Sequence, residues 1–150
     1  MAWGGSGWYA DTLVDALGVG AYALNLDADD YKLALYNNTL TPNFATADQS
    51  YSATNEISGT GYTAGGAAIA AATCTVVTSG STYLVWDGND VSWASSTLTG
   101  VRGGIAYADS LSPKRLILGV DFLTAYNTND GTLLVAWSAN GIGRINVISP

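Results

Sequence analysis

The chain has 150 residues, 48% of them hydrophobic and only 11% charged, with a formal net charge of −7. That length suits one domain able to bury a core, and the acidic balance argues against nucleic-acid binding, which needs clustered Lys and Arg; the only bases are Lys32, Arg102, Lys114, Arg115 and Arg144. A chain with no His and the single cysteine Cys74 has no intrachain disulfide and no His-activated nucleophile, and no run reaches the ~18 apolar residues of a membrane span.

A surface so poor in charge is covered by Ser, Thr, Asn, Gly and Ala. Neutral patches of this kind mark contacts with other chains, so a homo-oligomer or larger assembly is expected. The N-terminal MAWGGSGW has neither a basic region nor a continuous apolar stretch, which argues against a signal peptide and for synthesis in the cytoplasm.

In chain order, Ala2 to Gly7 reads as a flexible Gly/Ser-rich arm. Asp11 to Leu17 reads as a short helix, with Asp11 as N-cap, Gly18 as terminator, and Leu13 and Leu17 one turn apart on one face. Large aromatics in a flexible arm make sense as docking anchors. The candidate attachment residues are therefore Trp3, Trp8, Tyr9, Leu13, Leu17 and Tyr22. The opposing reading is an arm folded back over an open end of its own sandwich. The division expected is 1–28 for arm and helix and 29–150 for the main domain.

Asp27, Asp29 and Asp30 in LDADDY have the carboxylate density of a calcium loop but lack the glycine and late Glu of an EF-hand. They read as a solvated loop before Tyr31, and no metal site is assigned. Gly18-Val19-Gly20 follows a helix candidate instead of a strand, and the GGSG of residues 4–7 has no P-loop lysine, so no cofactor is expected.

From Tyr31 the pattern turns to period two. In YKLALY, Tyr31, Leu33 and Leu35 oppose Lys32, Ala34 and Tyr36. In TYLVWD, Thr82, Leu84 and Trp86 share a face; in LILGVDF, Leu116, Leu118, Val120 and Phe122; in TLLVAW, Leu133, Val135 and Trp137. Turn signals separate these runs, with DGND at 87–90 read as a hairpin turn. TAGGAAIAAAT reads as an extended edge segment despite its alanines, because it opens on Gly65-Gly66 and runs into β-formers. Cys74, in CTVV, reads as a small buried hydrophobe. The whole predicts an all-β, antiparallel β-sandwich with an N-terminal arm and one short helix.

NEISGTGYTAGG, residues 55–66, contains the lone glutamate, Glu56, and four glycines. Glycines so spaced suit a chain turning sharply or passing close to another backbone. Glu56 is expected to meet a backbone amide or an arginine, which makes the segment a structural corner. No carboxylate pair is spaced for acid–base work, and no catalytic residue is assigned.

Asn55 to Gly66 also resembles a "NEV-x-GTGYTxGG" signature of small proteins from the structural gene modules of tailed bacteriophages. Tyr31 to Asn37 resembles the family's "lkvALyn" strand, and Asp90 to Trp93 matches a further segment. Gly119-Val120-Asp121-Phe122 resembles "GyvDFG", and Leu134 to Ile145 resembles the closing "f-I-x-W-x-x-n-G-I-l-r-l". The resemblance spans about Asp29 to Ile148. It departs at Leu123-Thr124, where a glycine often follows the DF pair. It implies a non-enzymatic virion protein made in the host cytoplasm. The expected role is capsid decoration, bound to the major capsid protein, with a tail or tail-fibre subunit as alternative. From another class comes a carbohydrate-binding module, with Trp86, Trp93 and Trp137 stacking on sugars.

Overall fold

The computed structural model describes residues 3–19, 22–28, 30–46 and 49–148, so Asp29 and, within the expected 1–28 segment, Met1, Ala2, Gly20 and Ala21 lie outside the described residues. The strands are β1 (Gly7–Trp8), β2 (Tyr31–Tyr36), β3 (Ala67–Ala68), β4 (Thr73–Ser79), β5 (Ser81–Asp87), β6 (Val91–Ser96), β7 (Val101–Ala108), β8 (Leu116–Tyr126), β9 (Gly131–Val135) and β10 (Gly143–Ile148). All pairings are antiparallel. One sheet runs β1-β8-β7-β2-β3, a second β10-β5-β4, and a third pairs β6 with β9. This is the expected all-β, sandwich-like architecture with one short helix.

The period-two reading of β2 explains its position. Tyr31, Leu33 and Leu35 enter one core with Trp86, Trp93, Leu133 and Val135 from the smaller sheets. Ala34 and Tyr36 face the other way, into a second core with Trp3, Tyr9, Ile105, Tyr107 and Leu116. The five-stranded sheet is thus covered on both faces, which buries every residue of β7. Gly103 and Gly104 make this possible. A Cβ on Gly103 would lie 2.7 Å from the Trp3 indole, and one on Gly104 2.9 Å from the Leu33 side chain.

Several expectations need correction. The N-terminal segment is not a free arm: β1 pairs with β8, Trp3 and Tyr9 are buried, and Trp8 packs on the first core. Without it the Ala34–Tyr36–Ile105 face would stand in water. Helix α1 (Ala10–Val14) continues into a π-helical turn (Asp15–Val19), and its N-cap is Tyr9. Its buried residue is Thr12, while Leu17 is 82% exposed and Leu13 half-buried. The polar side faces inward because Arg115 lies fully buried beneath it. Asp11 and Asp15, one turn apart, both reach that guanidinium, and Tyr22 stacks on it 4.5 Å away.

Leu116 and Leu118 do not share a face. Ala106 pairs with Leu118 but Tyr107 pairs with Leu116, so a bulge at Ile117 resets the alternation. DGND is not a hairpin turn either. It carries the chain from β5 in one sheet to β6 in another, and Asn89 N–H is held by Ala70 O at 2.8 Å. The Ala-rich stretch is extended only in part: β3 pairs with Lys32 and Leu33 of β2 at the sheet edge, while turns at 64–65 and 70–71 flank it and Ala71 adopts φ +54°.

Candidate interaction surface

Glu56 is built into the fold. Its Oε1 accepts the Tyr62 hydroxyl at 2.6 Å and the Gly65 amide at 2.7 Å, and its Oε2 accepts the Tyr51 hydroxyl at 2.7 Å. The Tyr62 oxygen in turn accepts the Leu35 amide at 2.9 Å, and Tyr107 donates to Gly65 O at 2.8 Å. Gly66 needs its glycine: φ is +76° and a Cβ would lie 1.8 Å from Leu33 O. Burial, then the Glu56 hydrogen bond, pushes the Tyr51 phenol up to about 12 and raises Tyr62 further. These protonated phenols donate hydrogen bonds that satisfy a carboxylate, an arrangement suited to holding a corner.

Several other charged groups are likewise paired within the chain. Lys32 and Lys114 flank Asp109 at 2.7 and 2.5 Å, and Lys114 first, then Lys32, holds that carboxyl below its usual range. Arg102 pairs with Asp121 out of water. Arg144 lies 4.6 Å from the Tyr83 ring centre and donates to Asn140 Oδ1 at 3.3 Å. Asp27 accepts the Cys74 amide, and Asp90 accepts the Trp137 amide at 2.9 Å. Among the described residues, no three His, Cys, Asp or Glu side chains converge on a point that would hold a metal. Cys74 is half-buried, not fully buried, and burial followed by the Asp27 charge raises its thiol pKa.

The uncovered apolar surface lies elsewhere. Between the outer half of β8 and β9 runs a trough of about 250 Å³ lined by Val120, Phe122, Tyr126, Leu133 to Ala136 and Trp137. Past Val120, Ala136 and Trp137 it continues into a space of about 410 Å³ bounded by Ser6 to Trp8, Leu118 and Gly141 to Gly143. No charged residue lines either part. Tyr126 is 47% and Leu134 58% exposed, and Leu123, on the bulge beside them, is 82% exposed. Of the six expected attachment residues, only Trp8 reaches this trough. Trp3 and Tyr9 are enclosed, Tyr22 lies on Arg115, and Leu13 and Leu17 lie on the helix. The sugar-stacking alternative loses two of its three rings to the core, since Trp86 and Trp93 are buried.

Sequence reasoning missed Leu123, Tyr126 and Leu134 as surface, with Phe122 half-buried in the trough beside them. A signal was present: in a half-buried strand an apolar doublet must leave one member outside. Leu133-Leu134 in β9 is one such doublet, with Leu133 buried and Leu134 exposed. Comparison of the chain with protein-family models, curated proteins and solved structures finds no match.

Proposed function

We propose that this chain is a non-enzymatic structural subunit of a tailed-phage virion that attaches to the major capsid lattice. The observation that supports this most is the open, uncharged trough between β8 and β9, with Leu134 in its lining and the exposed Leu123 next in sequence to its lining residue Phe122. An apolar surface of that kind on a chain of net charge −7 suits docking onto another protein and repels nucleic acid. Many identical weak contacts on a symmetric shell give lasting occupancy through avidity. A subunit of the tail would use the same contact chemistry at a different place on the particle.

The test is the double variant Leu123→Asp/Leu134→Asp, introduced into the phage that carries the gene. Both side chains are exposed, so the melting temperature should move little, while occupancy on purified virions should fall at least about tenfold, equivalent to ~1.4 kcal/mol per site. Labelling of intact particles then locates the wild-type protein on head or tail. Full occupancy by the double variant, or absence of the wild-type protein from virions, would refute the reading.

A further inference from the structure

We infer that β4 is a self-pairing edge, through which two copies of this chain join β4 to β4 in antiparallel register about a two-fold axis at Val77. This goes beyond attachment to a shell and does not rest on it.

Strand β4 is an outer strand of its sheet, paired with β5 on one side only. The direction of its backbone groups follows from two observations. Cys74 lies opposite Trp86, whose carbonyl accepts the Ile142 amide at 2.8 Å on the far side of β5. Trp86 therefore turns its backbone away from β4, and Cys74 turns its own outward. Asp27 does accept the Cys74 amide on that outer side. The pairing with β5 continues without a register shift from Thr73 to Ser79, so Val76 and Thr78 also point N–H and C=O outward. Among the described residues nothing meets these groups. Unpaired strand groups of this kind are a template for another strand.

The other edges of the five- and three-stranded sheets are blunted. The five-stranded sheet ends in the two-residue strands β1 and β3, and β10 carries Arg144. Between Thr73 and Ser81 there is no charged residue and no proline. Five of the seven residues of β4 are Thr or Val, which favour strands, and Val76 is 68% exposed.

The pattern selects a second copy as the occupant. A chain of net charge −7 repels its own kind except where a neutral strip makes the contact. Asp27 occupies the Cys74 amide, which disfavours the register centred on Val76, where Cys74 would have to pair. Centring on Val77 matches Val76 with the partner's Thr78, Thr78 with the partner's Val76, and Thr75 with the partner's Ser79. The two outward pairs give about four N–H···O bonds, hydroxyls face hydroxyls, and Val77 meets the partner's Val77 as a close, non-hydrogen-bonded pair. An isologous contact of this kind closes on itself and yields a dimer.

The test uses the full chain in a Cys74→Ser background. Val77→Cys should form an intermolecular disulfide on mild oxidation, because the Cα atoms of a non-hydrogen-bonded pair lie about 4.5 Å apart, within disulfide reach. Val147→Cys, exposed on β10, is the control and should cross-link at least about tenfold more slowly. Sedimentation of the untagged wild type should show a concentration-dependent dimer. Val76→Lys should remain folded and monomeric, since an edge lysine blocks strand addition. A wild type that stays monomeric at high concentration overturns the proposal. So does equal cross-linking of the two cysteine variants, or a dimer that survives Val76→Lys; the last would mean that another surface makes the contact.

Discussion

Tyr62 and Glu56 are joined by a 2.6 Å hydrogen bond, and the same phenol oxygen accepts the Leu35 amide at 2.9 Å. The lone glutamate is thereby tied to the central strand β2 through one side chain. Glu56→Gln keeps an acceptor but loses the charge that strengthens three donated bonds. The variant should fold with an unchanged circular-dichroism spectrum and lose about 1.5–3 kcal/mol, the range for hydrogen bonds to charged groups. Urea denaturation measures this. A loss under ~0.5 kcal/mol, the range of a neutral surface change, would remove Glu56 from the framework.

The same cluster predicts alkaline sensitivity. Tyr51 is pushed up to about 12, first by burial and then by its bond to Glu56, and Tyr62 is raised for the same two reasons. An unfolded phenol titrates near 10. Below that pH both states keep the proton and the cluster contributes its full stability. Above it the unfolded chain releases protons that the folded chain retains, so stability falls, by up to ~1.4 kcal/mol per pH unit for each tyrosine, until the folded values are reached. Denaturation midpoints should be flat between pH 8 and 9.5 and decline above 10. Tyr62→Phe, which has no proton to lose, should show a shallower decline; equal slopes would contradict this account.

Asp121 holds the backbone of Leu123 in a left-handed conformation. Leu123 adopts φ +66°, inside a bulge where β8 loses register with β7, and its amide is held by Asp121 Oδ1 at 2.8 Å. The left-handed region costs a side chain roughly 1–2 kcal/mol, so this is where a glycine belongs. Leu123→Gly should be neutral or stabilise by up to ~1 kcal/mol, after the ~0.5–1 kcal/mol entropy cost of a glycine. Leu123→Ala, which keeps a Cβ, should gain nothing. Asp121→Ala is the opposite case. It strands the buried Arg102 charge and should cost about 3–5 kcal/mol. Thermal and denaturant unfolding of the three variants orders them.

The strands were legible wherever one face meets a core and alternation is unbroken, as in YKLALY and TLLVAW. They were misread at Ile117, because one extra residue in a ladder flips every later side chain and leaves no mark in composition. Arg115 hid the orientation of α1. A helix is read from its apolar positions, but here a buried cation reverses which side faces inward. The trough was missed because Phe122, Tyr126 and Leu134 have the residue types of a core. Only the lack of a covering element leaves them on the surface, and that depends on which strands are neighbours.

The indole of Trp3 is buried against Gly103, and its Nε1 donates to Asn37 O at 3.1 Å. Tyr9 is buried beside Phe44, with ring centres 5.0 Å apart. Thr12 donates to Leu116 O at 2.7 Å, and Asp11 and Asp15 neutralise Arg115. A docking arm would come away with melting unchanged; this segment is instead one covering layer of the sheet. Trp3→Ala should cost about 3–5 kcal/mol, as for a large buried aromatic. Deleting residues 2–22 should abolish cooperative unfolding, since it exposes the Ala34–Tyr36–Ile105 face and leaves the Arg115 charge without its carboxylates. Leu17→Ala, on the exposed side of the same segment, should change stability by less than ~0.5 kcal/mol. Differential scanning calorimetry of the three variants checks the contrast. A truncated protein that melts cooperatively near the wild-type temperature would return the segment to the status of an arm.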